Sequence, residues 1–367
     1  MDKRSGITEA VAKGLGEART QKLNALARHV QELQILTAEA GTVDLLSVPR
    51  TGRDITRWKS LAAQGGEDWV YVTYADKNTV LALDEPSEIG MRNQAAAAIY
   101  PELHTRMVSW WLVHAWRSID LLEDTLDNIW RWRISSGAVT ARAAVEEAGA
   151  LVDEAQKLAK AWSIGKAAPA EELKRPKTVR DALAPALLHA SMGSRLTGSH
   201  AKLQATNVLT LVKKLSKTSG NPRFIEWYDW LSDAAHPAFG ARIAYSSLPL
   251  VHDSGAVTVR YYARAPLLLQ SDTQQKTMES TIALTVADSI IAAGQIIVDV
   301  LNHSLALVDD VGLTTGAATL TRRNYWRNLS PVRGSRACPC GRGKWSQCGH
   351  RWGEPAPKAI SLEDTSA

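Results

Sequence analysis

Residues 274–307 read QQKTMESTIALTVADSIIAAGQIIVDVLNHSLAL. Apolar side chains recur at Met278, Ile282, Val286, Ile290, Ala293, Ile297, Leu301 and Leu305, a spacing of three or four that follows the α-helical turn through the whole stretch. Strands rarely exceed about ten residues, so a pattern this long predicts a helix. Its centre, 280–301, is long enough to cross a bilayer, but it carries Asp288, Gln295 and Asp299. Together these would cost several kcal/mol at membrane depth. The stretch is therefore expected to be the buried helix of a soluble bundle, with no membrane partner.

Working outward, the same periodicity predicts further helices. Residues 101–135 carry the stripe Met107, Trp111, Ala115, Leu122, Leu126 and Ile129, with Pro101 expected in the first turn, where its missing N–H costs nothing. Residues 140–162, rich in Ala, Glu and Lys, predict the next helix. An Ala-, Pro- and charge-rich connection at 166–177 follows and is expected to be open to protease. Shorter helices are expected at 178–191, 202–217 and 222–236. Upstream, Val11, Leu15, Leu23, Leu26, Val30, Leu33 and Leu36 predict one long helix over 8–38, ending before Gly41. Two stretches favour strands instead: 68–84, turning at Asp76-Lys77-Asn78, and 243–262, turning at Asp253-Ser254-Gly255.

Charge and cysteine usage separate the C-terminus from the rest. Of 43 Lys and Arg and 38 Asp and Glu, nine basic and three acidic residues fall in 311–367, leaving 34 basic and 35 acidic in the first 310. The excess positive charge therefore lies in the tail. All three cysteines, Cys338, Cys340 and Cys348, lie there too, which excludes a disulfide-stapled secreted domain. Residues 1–40 alternate charged and apolar side chains without an apolar run, so a cytoplasmic location is expected.

Residues 337–353 read ACPCGRGKWSQCGHRWG. Three thiolates and the His350 imidazole form a tetrahedral donor set for structural Zn²⁺, and a segment this short needs a metal to fold. With Zn²⁺ the centre carries about one negative charge, surrounded by Arg342, Lys344 and Arg351. Cys338-Pro-Cys340-Gly-Arg-Gly-Lys344-Trp345-Ser-Gln-Cys348-Gly-His350 resembles the SEC-C motif, the zinc knuckle that ends the bacterial preprotein translocase motor and is appended to many other bacterial proteins. The family pattern is Cys-Pro-Cys-Gly-Ser-Gly-Lys-Lys-Tyr-Lys-x-Cys-His. This chain has one residue fewer between the second and third cysteines and inserts Gly349 before His350. The resemblance implies that Cys338, Cys340, Cys348 and His350 are the ligands. It also implies docking on an acidic protein, a ribosome or a nucleic acid, with Lys344 and Trp345 at the family's basic and aromatic positions; the local charge adds Arg342 and Arg351 as polyanion-binding residues. Arginines at 322, 323, 327, 333 and 336, interleaved with Tyr325 and Trp326, extend the basic surface.

The body offers weaker signals. Trp227 to Pro237, with Arg117, Ser118 and Glu123, is similar to uncharacterised bacterial helical proteins compared with abortive-infection and HEPN-type proteins. Tyr228, Ser232 and His236 have i, i+4, i+8 spacing, and Tyr228, His236 and Arg117 are the weak catalytic candidates. His236 reads more readily as a helix cap before Pro237. Arg195 and His200 have the spacing of the HEPN ribonuclease pair, which chance alone supplies in a chain of this composition. His114 and Arg117 read as an exposed or interhelical polar stripe. No phosphate-binding glycine loop or His-Glu-x-x-His occurs.

The expected fold class is mainly α, a helical bundle with one or two small β-hairpins and a C-terminal zinc knuckle. The expected organisation is 1–90, N-terminal helix and hairpin; 91–310, bundle; 311–336, basic linker; 337–353, knuckle; 354–367, disordered tail. The leading expectation for function is a zinc-dependent docking protein. The alternative is a HEPN-like ribonuclease or phage-defence effector recruited through the knuckle.

Overall fold

The computed structural model describes residues 3–38, 40, 70–73, 80–83, 94–169, 174–199, 201–243, 245, 250–251, 258–259 and 278–317. The knuckle, the tail, most of the basic linker and the turns of both expected hairpins lie outside these residues. The protein is mainly α. Its helices are α1 (Lys3–Leu15), α2 (Glu17–Thr37), α3 (Gln94–Trp130), α4 (Ile134–Lys166), α5 (Lys174–Met192), α6 (Val208–Thr218), α7 (Arg223–Ala235), α8 (Phe239–Ile243) and α9 (Met278–Thr315). Two short antiparallel pairs accompany them, β1 (Val70–Thr73) with β2 (Val80–Leu83) and β3 (Leu250–Val251) with β4 (Thr258–Val259).

Helix α4 is the axis of the bundle and packs against α3, α5, α6, α7 and α9. Its buried face is built largely of alanine, at 138, 141, 144, 148, 155 and 161, interrupted by Val145, Leu151, Val152, Leu158 and Trp162. Small side chains let neighbouring backbones approach closely. Gly149 shows the limit: a Cβ there would lie 3.1 Å from the backbone carbonyl of Leu211 on α6. α9 lies along α4 and α3, with Ile282, Val286, Ile290, Ile297, Leu301 and Leu305 all buried. Trp111 donates its indole N–H to the Leu301 carbonyl at 2.8 Å and ties α3 to α9 at their shared core.

Several sequence expectations change in the structure. The opening helix is two helices, because Gly16 adopts φ +85°, a left-handed conformation that glycine accepts without a steric penalty. α1 and α2 do not form a unit separate from the bundle at residue 90. α2 packs on α3 and α9, and Arg19 holds Asp288 of α9 through two hydrogen bonds of 2.6 and 3.1 Å. α3 begins at Gln94, so Pro101 is interior and the helix forgoes one backbone hydrogen bond there.

α3 and α4 are joined by a tight turn at 131–133. Trp132 takes φ +54°, and Arg133 N–H reaches the Asn128 carbonyl at 2.7 Å. α4 therefore starts six residues earlier than its composition predicted. The connection expected from residue 166 also begins later: Lys166 is the last residue of α4 and is buried. The basic linker expected from 311 starts too early, since Val311, Thr314 and Thr315 are buried in α9.

Candidate functional site

A cluster of polar residues converges on one side of α4. Glu147 and Glu154 are seven residues apart, two helical turns, and so project from the same face. Across from them α3 presents Trp110, His114 and Arg117, again at helical spacing. His114 Nδ1 is 2.5 Å from Glu147 Oε1, and Nε2 is 2.9 Å from Glu154 Oε2. Trp110 donates its indole N–H to the same Glu154 oxygen at 2.7 Å, and Arg117 Nε–H donates to Glu147 Oε2 at 2.9 Å.

This arrangement fixes the charge of His114. Each ring nitrogen faces a carboxylate oxygen, which only accepts, so each must carry a proton. Burial favours the neutral ring, but the hydrogen bonds and negative charges of Glu147 and Glu154 outweigh it and raise the pKa to about 9. The imidazole is thus a cation clamped between two anions. A doubly protonated ring has no lone pair for a metal or for general-base catalysis near neutral pH.

The neighbouring acids are matched in the same way. Asp153 accepts from Lys157 at 2.7 Å and Lys214 at 2.6 Å. Burial alone would raise its pKa, but the two ammonium groups hold it below the usual aspartate value. Glu146 receives the Tyr228 hydroxyl at 2.9 Å and pairs with Arg142 at 3.2 Å. Among the described residues no group of His, Cys, Asp and Glu is arranged to hold a metal ion.

Two of the three weak catalytic candidates meet through Arg142, a residue the sequence reading missed. Its guanidinium donates to the Tyr228 oxygen at 3.2 Å and lies 3.4 Å from His236 Nε2. It also covers the Tyr228 ring at 5.3 Å. His236 does not share a helical face with Tyr228 and Ser232. α7 ends at Ala235, and His236 is extended at φ −89°, ψ 157°, its N–H capping the Ser232 carbonyl. The capping reading of His236 therefore describes its backbone role. Arg117, the third candidate, lies in the His114 cluster and is joined to Glu147.

α3, α4, α5 and α6, with the segment after α5, border an open cleft of about 210 Å³. Arg117, Glu146, Glu147, Asp153 and Glu154 form one part of its lining, and His189 and Arg195 another. Asn207 positions α6 at its edge by capping the Leu209 N–H at 2.9 Å. His200 lies outside the described residues. Glu147 and Glu154 were missed in the sequence because they resemble solvated charges in an Ala-, Glu- and Lys-rich helix. Their seven-residue separation, set against Trp110, His114 and Arg117, was the available signal. No family model, curated protein or solved structure matches this chain.

Proposed function

We propose that this protein is a cytoplasmic docking protein, in which a helical body carries a basic zinc knuckle that binds a polyanionic partner. The single observation behind this reading is the donor set at 337–353 with its ring of cations. Cys338, Cys340, Cys348 and His350 would hold Zn²⁺, which supplies folding free energy of about 10–16 kcal/mol to peptides of this size. Arg342, Lys344 and Arg351 would then face outward, with Trp345 available to stack. The partner class is an acidic protein surface, a ribosome or another nucleic acid.

The body supports binding over catalysis. Arg117 and Tyr228 are joined to Glu147 and Glu146, and His236 lies against the Arg142 cation. The ribonuclease alternative needs a histidine free to move a proton, and His236, the candidate within the described residues, has Nε2 3.4 Å from the Arg142 guanidinium. The deciding experiment isolates the macromolecules that co-purify with the full chain and with a chain lacking 333–367. A partner lost with the tail supports docking through the knuckle, and nuclease digestion of the eluate separates nucleic acid from acidic protein. RNA turnover abolished by His236→Ala would overturn the reading in favour of an enzyme.

A further inference from the structure

The cleft bordered by α3, α4, α5 and α6 holds more acids than bases by name, yet its charge balance runs the other way. Glu146 faces Arg142, Glu147 faces His114 and Arg117, Asp153 faces Lys157 and Lys214, and Glu154 faces His114. Each carboxylate is already matched by a cation of the protein. A cationic ligand would have to displace one of these partners.

The donors left over are guanidinium N–H groups. Arg117 commits Nε to Glu147 and keeps both terminal nitrogens, on a side chain that is 57% exposed. Arg195 enters from the loop after α5 and donates one terminal N–H to the Thr206 carbonyl at 3.3 Å. Its Nε and second terminal nitrogen have no hydrogen-bond partner among the described residues. His189, also on the lining, meets the Gln204 carbonyl through Nε2 at 2.9 Å, so that nitrogen carries the proton.

We infer that this cleft binds a phosphate group through Arg117 and Arg195, which both line it. Guanidinium presents paired N–H donors at the spacing of phosphate oxygens, and the six cations at the cleft, Arg117, Arg142, Arg195, Lys157, Lys214 and His114, exceed its four carboxylates by two charges, enough to balance phosphate near pH 7. At about 210 Å³ the cleft exceeds the share of several waters, roughly 30 Å³ each, but falls below the ~300 Å³ of sites that enclose drug-sized ligands. It therefore accommodates free phosphate or the terminal phosphate of a small molecule whose remainder lies outside. This site is separate from the zinc knuckle and does not rest on the docking reading.

The test is isothermal titration calorimetry of the full chain in a phosphate-free, low-salt buffer, with inorganic phosphate, adenosine diphosphate and adenosine as probes. Phosphate, adenosine diphosphate or both should bind, and adenosine should not. Equal affinity for the first two identifies the phosphate group alone as the determinant. Tighter binding of the diphosphate identifies a terminal phosphate on a larger ligand. Arg195→Met should weaken binding about tenfold or more without moving the melting temperature, because that side chain is exposed and makes one peripheral hydrogen bond. Arg117→Met should weaken it similarly, and Arg195→Lys should retain part of the affinity. The double reversal Arg342→Glu with Lys344→Glu should leave it unchanged, which separates the cleft from the tail. Absence of binding to either phosphate probe at millimolar concentration, or wild-type affinity in both methionine variants, overturns the proposal.

Discussion

Lys166, the last residue of α4, and Asp310, near the end of α9, form a buried ion pair across 144 residues of chain. The ammonium lies 3.1 and 3.2 Å from the two carboxylate oxygens, with the side chains 5% and 0% exposed. Trp162 donates to the same carboxylate at 2.6 Å and Thr314 at 3.1 Å. Both ends of the contact are thus satisfied in a site that water does not reach.

Removing one member leaves an uncompensated buried charge, which typically costs about 3–5 kcal/mol. Asp310→Ala and Lys166→Met should each lower the unfolding free energy, read from urea denaturation, by an amount in that range. The double variant Lys166→Met with Asp310→Leu should recover much of the loss. Additive losses in the double variant would show that the two residues act independently.

His114 makes stability depend on alkaline pH. Its pKa is raised from 6.5 to about 9 in the fold, so the folded state holds a proton that the unfolded chain releases earlier. The contribution is complete below about pH 6.5, declines as pH rises, and is lost above about pH 9. Its size is on the order of 3 kcal/mol. Denaturation curves of wild type and His114→Gln at pH 6 and pH 9.5 should converge at the higher pH. A gap that stays constant would refute the clamped imidazolium.

Gly149 sets the spacing of α4 and α6. Valine there would push against backbone atoms of Leu211 that have no rotamer by which to escape. Gly149→Val should destabilise by about 2 kcal/mol, in spite of the removal of a helix glycine. Thermal melting reads this directly.

The knuckle should stand or fall with its metal. Cys340→Ser is expected to abolish stoichiometric zinc, measured by elemental analysis, while leaving the melting transition of the helical body in place. Salt titration of partner binding supplies the second readout: contacts through Arg342, Lys344 and Arg351 weaken with ionic strength, by about 0.7 logarithmic units per decade of salt for each phosphate of a single strand. Zinc-free wild-type protein would end this assignment.

What the sequence carried was local. The period through Met278 and Leu305 announced α9 because a buried helical face repeats within one segment. Gly16 breaks the opening helix without a sign in the pattern, since apolar spacing continues from Leu15 to Leu23 across it and periodicity is blind to a single left-handed residue. His114 was seen as polar, but its meaning depended on carboxylates 33 and 40 residues away. Pairing between helices depends on crossing geometry and leaves no trace in either helix alone. Lys166 and Asp310 escaped for the same reason, each looking like an ordinary charge beside a connection.

The anchoring of α9 has a mechanical side. Its last turn is held by the Lys166–Asp310 contact, and the described chain ends at Ala317, buried against the core. Twenty residues separate Ala317 from Cys338, a contour of at most about 75 Å at 3.3–3.6 Å per residue. A pull transmitted along the chain beyond Ala317 would arrive at the end of α9, where it works against the buried Lys166–Asp310 ion pair.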